Sequence, residues 1–327
     1  MKTKTRATNN NESKGGTTTT SAFNIADFAV TIDENVPNNA PPRGTIYARV
    51  GLPKRGKTYW GARWNPTHDP KRTLFLDCDK CVLRYPWDYP GMTTLPIISW
   101  APPIDANGKT IPPEQRGYFV KGKQVKAWSF KEAIALIRAM SQNGLLQANY
   151  DVVCIDTVDI LQDWSESYHL SIVNAKRKPE DRVDTIGELG TAHGSAWSDS
   201  RMVLTNALDS LGDICRSAEV DLVLDIHAKT TTQVGNVWQR DPALRGGVTA
   251  ALFGMVDVIG YCNIEDTNKP DGSDFGTVYQ GQRYTISYTV SSEVTTGGTR
   301  LGPIVNKTLP NCYQAIMAEY AKEVPCS

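Results

Sequence analysis

Nowhere in the 327 residues does an apolar run reach the roughly 18 residues that a membrane-spanning helix needs, and no signal-peptide core is visible. Histidine is scarce, with four in the chain. His68, His169 and His193 have no ligand spacing between them, which argues against a histidine-built metal centre. Neither sign of charge is in excess, 35 Lys and Arg facing 35 Asp and Glu. A coat of basic surface is thereby excluded, but a local basic groove is not. The seven cysteines are scattered and some fall inside apparent core strands, so they read as reduced thiols and not as a disulfide framework. Cys78 and Cys81 make a lone CxxC with no second pair to complete four zinc ligands. The expectation is a cytoplasmic enzyme or binding protein.

What is present is an alternation of strand and helix patterns. Residues 1–22 are polar and of low complexity and are expected to be a disordered tail. Residues 23–327 are read as one α/β domain. Thr45–Val50 and Arg72–Asp77 read as strands, and Tyr150–Asp156 and Val220–His227 as short apolar runs typical of strands buried on both faces. Ser129 and Glu132 form a capping-box signature ahead of a helix that Gly144 ends, and 198–218 is a second helix. Residues 84–127, rich in Pro and Gly, are expected to be an irregular insertion carrying a small hairpin. Two further strands, at 256–264 and 283–292, precede a C-terminal helix, with a turn at 295–298. Strands separated by helices give βαβ units and a mainly parallel sheet.

Gly51-Leu-Pro-Lys-Arg-Gly-Lys-Thr58 fits the phosphate-loop pattern G-x-x-x-x-G-K-[ST] without a mismatch, directly after a strand and before a short helix. Glycines let the backbone curl so that N–H groups point at phosphates. Lys57 is placed to reach the β- and γ-phosphates, and the Thr58 hydroxyl to ligand Mg²⁺. The candidate cradle for ATP runs through Gly51, Pro53, Lys54, Arg55, Gly56, Lys57, Thr58 and Tyr59. A second Gly-Lys-Thr, at 108–110, has Pro103 where the first glycine belongs and no strand before it. It is set aside.

Such a loop needs a carboxylate at a neighbouring strand end to hold the magnesium and its water. Asp156, after four apolar residues, supplies one, with Asp159 ranked second. Asp77 and Asp79 close another strand, expected beside the phosphate loop, where either can polarise a water towards the γ-phosphate. A plain turn or cap aspartate is the competing reading.

In order and spacing, "GLPKRGKT", "TLFLDCD", "YDVVCIDT", "VDLVLDIHAK" and "VDVIGY" resemble the phage-encoded RecA-like P-loop ATPases of the single-strand annealing class, over about residues 44–310. The resemblance implies a RecA-like core, a mainly parallel sheet flanked by helices with a C-terminal antiparallel extension. It also implies Mg²⁺- and ATP-dependent hydrolysis in homologous recombination or annealing, in the host cytoplasm. Lys57, Asp79, Asp156 and His227 become the catalytic set, with Thr58 and Asp156 serving the metal. The family often carries Glu where this chain has Asp79, one methylene shorter. His227 would be a sensor of nucleotide state for the following loop, 228–247, whose Lys229, Trp238, Arg240 and Arg245 would touch single-stranded DNA. Lys307 would reach a neighbouring subunit's nucleotide. The implied partners are single-stranded DNA, further copies of the chain in a ring or filament, and a single-strand-binding protein, with no membrane. Two rivals stay open: a P-loop kinase of a small acceptor, for which residues 158–200 supply Arg182 but no arginine cluster, and a nucleotide-gated assembly module that scarcely hydrolyses ATP.

Overall fold

The computed structural model describes residues 40–322, except 121, 190–194, 235–236, 246, 267–281 and 290–297. The expected tail and most of the expected turn at 295–298 lie outside the described residues. In chain order the elements are β1 (Ile46–Gly51), α1 (Lys57–Gly61), β2 (Thr73–Asp77), β3 (Thr93–Ser99), β4 (Phe119–Val120), β5 (Lys123–Gln124) and β6 (Trp128–Ser129). There follow α2 (Phe130–Gln142), α3 (Leu145–Asn149), β7 (Val152–Asp156), α4 (Val158–Ala175), α5 (Ser195–Ser217), β8 (Asp221–Val234) and β9 (Val237–Pro242). The chain closes with α6 (Val248–Met255), β10 (Val258–Asp266), β11 (Gln282–Ser287), β12 (Gly298–Thr299), β13 (Thr308–Pro310) and α7 (Tyr313–Lys322).

The main sheet runs β13-β11-β10-β1-β8-β7-β2-β3-β6, parallel from β10 to β6 and antiparallel at the C-terminal end, as expected. Its central strands are buried throughout because both faces are covered. Ala48, Val50, Leu76, Ile155 and Leu224 pack on one face with Phe130 and Ile137 of α2 and Leu204, Leu208 and Leu211 of α5. Tyr47, Phe75, Cys154 and Val223 pack on the other with Trp64 and with Tyr313 and Ile316 of α7.

The start of α2 follows from the sequence alone. Glu132 N–H donates to Ser129 Oγ at 3.3 Å, and Ser129 N–H donates to Glu132 Oε2 at 3.0 Å. Phe130, Ala133, Ile134 and Ile137 then fall on one buried stripe at helical spacing. Arg116 clasps the same Glu132 with both terminal nitrogens, at 2.5 and 2.7 Å, which fastens the preceding segment to the helix. Burial raises the Glu132 pKa, but the Arg116 and Ser129 hydrogen bonds outweigh it and bring it down to about 2.

Two expectations need correction. Residues 84–127 are not irregular throughout: β3 lies within them as a parallel neighbour of β2, and only the hairpin β4–β5 was anticipated. Within and just after this segment, Trp100 is buried against Phe130 and Trp128 packs on the same main core, whereas Trp87 is 65 % exposed. The segment after His227 is not a plain loop. Strand β8 runs on to Val234 and folds back on β9 as a hairpin, with one extra residue between Thr230 and Thr232. Local polarity hid this, because a two-stranded arm leaving the sheet need not alternate apolar and polar side chains.

At the base of β8, Asp221 is fully buried; Oδ1 accepts the Thr45 N–H at 3.1 Å, while Oδ2 has no partner. Burial, the largest influence, pushes its pKa from the ordinary 3.8 up to about 7 against the pull of Arg43. The folded state therefore holds a proton that the unfolded chain has released, and stability falls as pH climbs from about 4 to about 7, by at most about 4 kcal/mol. Asp221→Asn keeps the acceptor and removes the titration. In denaturant unfolding, the variant is expected to gain stability relative to the natural chain as pH is raised from 4 to 8. Parallel pH profiles would mean that Asp221 is already ionised in the fold.

Candidate active site

The loop 51–56 leaves β1 and closes at Gly56, which has a φ of 75°. A Cβ there would lie 2.9 Å from the Tyr284 ring and 3.0 Å from Trp60, so both conformation and space require glycine. Pro53 and Lys54 stand exposed at the loop tip, with Lys54 in the left-handed region at φ 61° and Arg55 half-buried. Helix α1 is only five residues long, so the positive helix end it offers to phosphates is little more than a single turn. Tyr59 turns outward, its ring 3.9 Å beneath the Arg63 guanidinium.

Lys57 is buried and reaches back across the loop, Nζ donating to the Gly51 carbonyl at 2.9 Å and the Leu52 carbonyl at 3.0 Å. Thr58 Oγ1 donates to Asp156 Oδ2 at 2.6 Å. The two halves of the phosphate-loop pattern thus meet in space, although strand β8 lies between β1 and β7. The expectation that Asp77 ends a strand beside the phosphate loop is corrected by the same order: β2 lies beyond β7, three positions from β1. Asp79 nevertheless joins the site, because the Cys78 and Asp79 N–H groups donate to the Asp156 carbonyl at 2.8 and 3.3 Å.

Register aligns charged residues across four strands: Arg49 on β1, Asp225 on β8, Asp156 on β7 and Asp77 on β2. Neighbours in a parallel sheet face the same way, so one cation and three carboxylates form a row on the face that carries α1. Arg49 Nε and Nη2 grip Asp225 at 2.8 and 2.9 Å, and Nη2 also donates to the Lys57 carbonyl. Burial disfavours the Arg49 cation, but Asp225 outweighs it and keeps the charge in place. Gly61 sits on this pair; a Cβ would come within 2.8 Å of Asp225 Oδ2 and 2.9 Å of Arg49 Nη2. The Arg49–Asp225 pair escaped notice in the sequence. Its signal was a charge in the interior of each of two largely apolar strands, Arg49 in "IYARVG" and Asp225 in "DLVLDIH".

Carboxylates outnumber cations here, and their protonation shows it. Burial first, then Asp225 and Asp79, push the Asp156 pKa well above the ordinary carboxylate range. Burial and Asp79 push Asp77 up to about 7, and Asp77 Oδ2 has no hydrogen-bond partner. Asp79 Oδ1 accepts the Cys81 N–H at 2.8 Å, the bond of a turn aspartate. Among the described residues no set of three side chains is arranged to hold a metal alone. Magnesium asks for less, one or two oxygen ligands beside phosphates and waters. The Thr58 hydroxyl backed by Asp156 in an anion-rich pocket fits that requirement.

Asp159, in the first turn of α4, is bonded to His227 twice, accepting the His227 N–H at 3.0 Å and meeting Nδ1 at 2.9 Å. Burial raises the Asp159 pKa, but the His227 hydrogen bonds and charge outweigh it and hold it below the usual range. The thiols of Cys78 and Cys81 are both raised, chiefly by burial, Cys81 to about 12; at neutral pH they are neutral and poor nucleophiles. Arg245 is tied to Asp163 and Glu166 of α4, and Lys307 to Glu319 of its own chain at 2.7 Å. Lys229 is exposed at the base of the β8–β9 hairpin. Arg240 and Trp238 lie on β9 opposite Thr230 and Gln233, their side chains outside the described ones.

A phosphate loop on the strand at the centre of a mainly parallel α/β sheet, with an acidic strand end two positions away, defines a P-loop nucleoside triphosphatase fold. The family model described as "AAA domain" matches residues 41–301, and the chain belongs to that family of P-loop ATPases. No curated protein matches the sequence. Among the described residues no helix is long and apolar enough to cross a membrane.

Proposed function

We propose that the chain is a RecA-like ATPase that hydrolyses Mg·ATP and acts on single-stranded DNA in recombination or annealing. The observation that carries this reading is the continuity of β8. One strand bears Asp225 beside Asp156, then His227 bound to Asp159, then the arm that holds Lys229 and faces Trp238 and Arg240. Whatever alters the pocket at Asp156 acts on the strand from which the arm projects.

In this reading Lys57 would hold the β- and γ-phosphates, and Thr58, backed by Asp156, would hold a magnesium. The bound metal would neutralise charge on the phosphates. Asp79, beside Asp156, would orient an attacking water once its bond to the Cys81 amide is shared or broken. Cations and an aromatic on the hairpin suit a sugar–phosphate chain and its bases. Assembly of several copies along the strand, and a single-strand-binding protein as partner, belong to the same reading. For Lys307 to act on a neighbour's nucleotide it would first have to leave Glu319.

The test is ATP turnover with and without oligo(dT). Several-fold stimulation by the oligonucleotide is expected, and its loss in Lys229→Ala with Arg240→Ala. Turnover that DNA leaves unchanged would remove the recombination reading. Tight nucleotide binding with almost no turnover would favour a nucleotide-gated assembly module, to which the short Asp79 lends itself.

A further inference from the structure

Beyond the carboxylates, the chain leaves Asp79 into a short connection, Lys80–Arg84, which faces the β4–β5 hairpin across an open cleft. Lys80, Leu83, Arg84, Gly117, Tyr118 and Phe119 are among the residues lining this cavity of about 540 Å³, in the size range of small-ligand sites. Phe119 is 61 % exposed. Lys80 lies with Nζ 5.6 Å from the centre of the Tyr118 ring, and among the described residues neither Lys80 nor Arg84 has a carboxylate partner. Glu114, the acid of the hairpin segment, is already taken by Lys126 at 2.9 Å.

Two cations without carboxylate partners and an open aromatic face, on opposite walls of one cleft, match a phosphate joined to a base. An acidic peptide would use the cations but leave Phe119 in water; an apolar ligand would bury the cations without compensation. We propose that this cleft holds a nucleotide unit of a single nucleic-acid strand, its phosphate on Lys80 and Arg84 and its base against Phe119. The inference rests on the reading of the chain as an ATPase that acts on such a strand. It adds a contact separate from the β8–β9 hairpin and gives that contact a route inward. Lys80 follows Asp79, whose N–H and that of Cys78 are bonded to the Asp156 carbonyl. A strand seated in the cleft therefore holds the connection that positions Asp79.

The experiment uses the full chain with Mg²⁺ and a non-hydrolysable ATP analogue, and reads binding of fluorescent oligo(dT) by anisotropy, with dTMP as competitor. All three side chains are exposed, so Phe119→Ala and the pair Lys80→Ala with Arg84→Ala are expected to fold. Phe119→Ala should weaken oligo(dT) binding roughly five- to a hundredfold. The double variant should flatten the dependence of log K on log salt by about 0.7, the share of one phosphate contact on a single strand. Both should keep DNA-independent ATP turnover and lose part of the stimulation. If the variants bind oligo(dT) as the natural chain does, the cleft assignment falls while the single-strand reading stands. If dTMP competes as strongly as an equal concentration of nucleotide units in oligo(dT), the occupant is a free nucleotide and the strand assignment is overturned. If the natural chain binds neither, both readings fall together.

Discussion

Lys57→Ala is expected to lose ATP hydrolysis by at least about a hundredfold, the usual consequence of deleting one preorganised electrostatic contact to a transferring phosphoryl group. The buried ammonium supplies positive charge within reach of Asp156, and it bridges the loop by holding the Gly51 and Leu52 carbonyls. Its removal strips charge from the phosphate site and leaves those two acceptors short of a donor, at about 1–3 kcal/mol for each that stays buried. The measurement is therefore paired: turnover on one side, denaturant unfolding on the other. A folded variant without turnover assigns the lysine to phosphate chemistry. A variant that hydrolyses ATP at the natural rate would remove the phosphate-loop reading altogether.

Asp225→Ala is expected to destabilise the fold by about 3–5 kcal/mol, a large part of the stability of an ordinary domain. The Arg49 side chain is 1 % exposed and Asp225 is fully enclosed, so deleting the carboxylate strands a guanidinium with no route to water. Replacing both residues with apolar ones of similar volume, Arg49→Met with Asp225→Leu, should recover most of that loss, since buried pairs are often no better than well-packed hydrophobes. Turnover should not recover with it. Arg49 also donates to the Lys57 carbonyl, and that anchor between the sheet and the phosphate loop is absent from the double variant. Urea unfolding of the single and double variants, followed by turnover of the double one, separates the two roles. Full activity in the double variant would show that the pair serves stability alone.

Much of this was readable in the sequence because it is local. The phosphate loop is eight consecutive residues, the Asp156 strand is an apolar run with a terminal acid, and the α2 capping box is two side chains three apart. What escaped was long-range. Nothing near Arg49 announces that its partner lies at position 225, or that β8 would slip between β1 and β7 and push Asp77 three strands from the phosphate loop. The β3 strand was hidden by Pro96 inside it and by the prolines on either side. The hairpin arm was hidden because pairing between β8 and β9 is satisfied by backbone groups, which leave little imprint on side-chain pattern. Lys307 and Arg245 were singled out for their charge, and a sequence does not show that Glu319 and the α4 carboxylates had already claimed them.

The arm that begins at His227 behaves as a lever. From there to Val234 an extended chain reaches about 23 Å, at roughly 3.3 Å per residue. A tilt of about 5° at its base sweeps the far end through about 2 Å over that reach. The extra residue near Thr231 sets a bend partway along, so the outer part can swing on a shorter radius than the whole. A small tilt at the base would thus be enlarged at the tip by geometry alone.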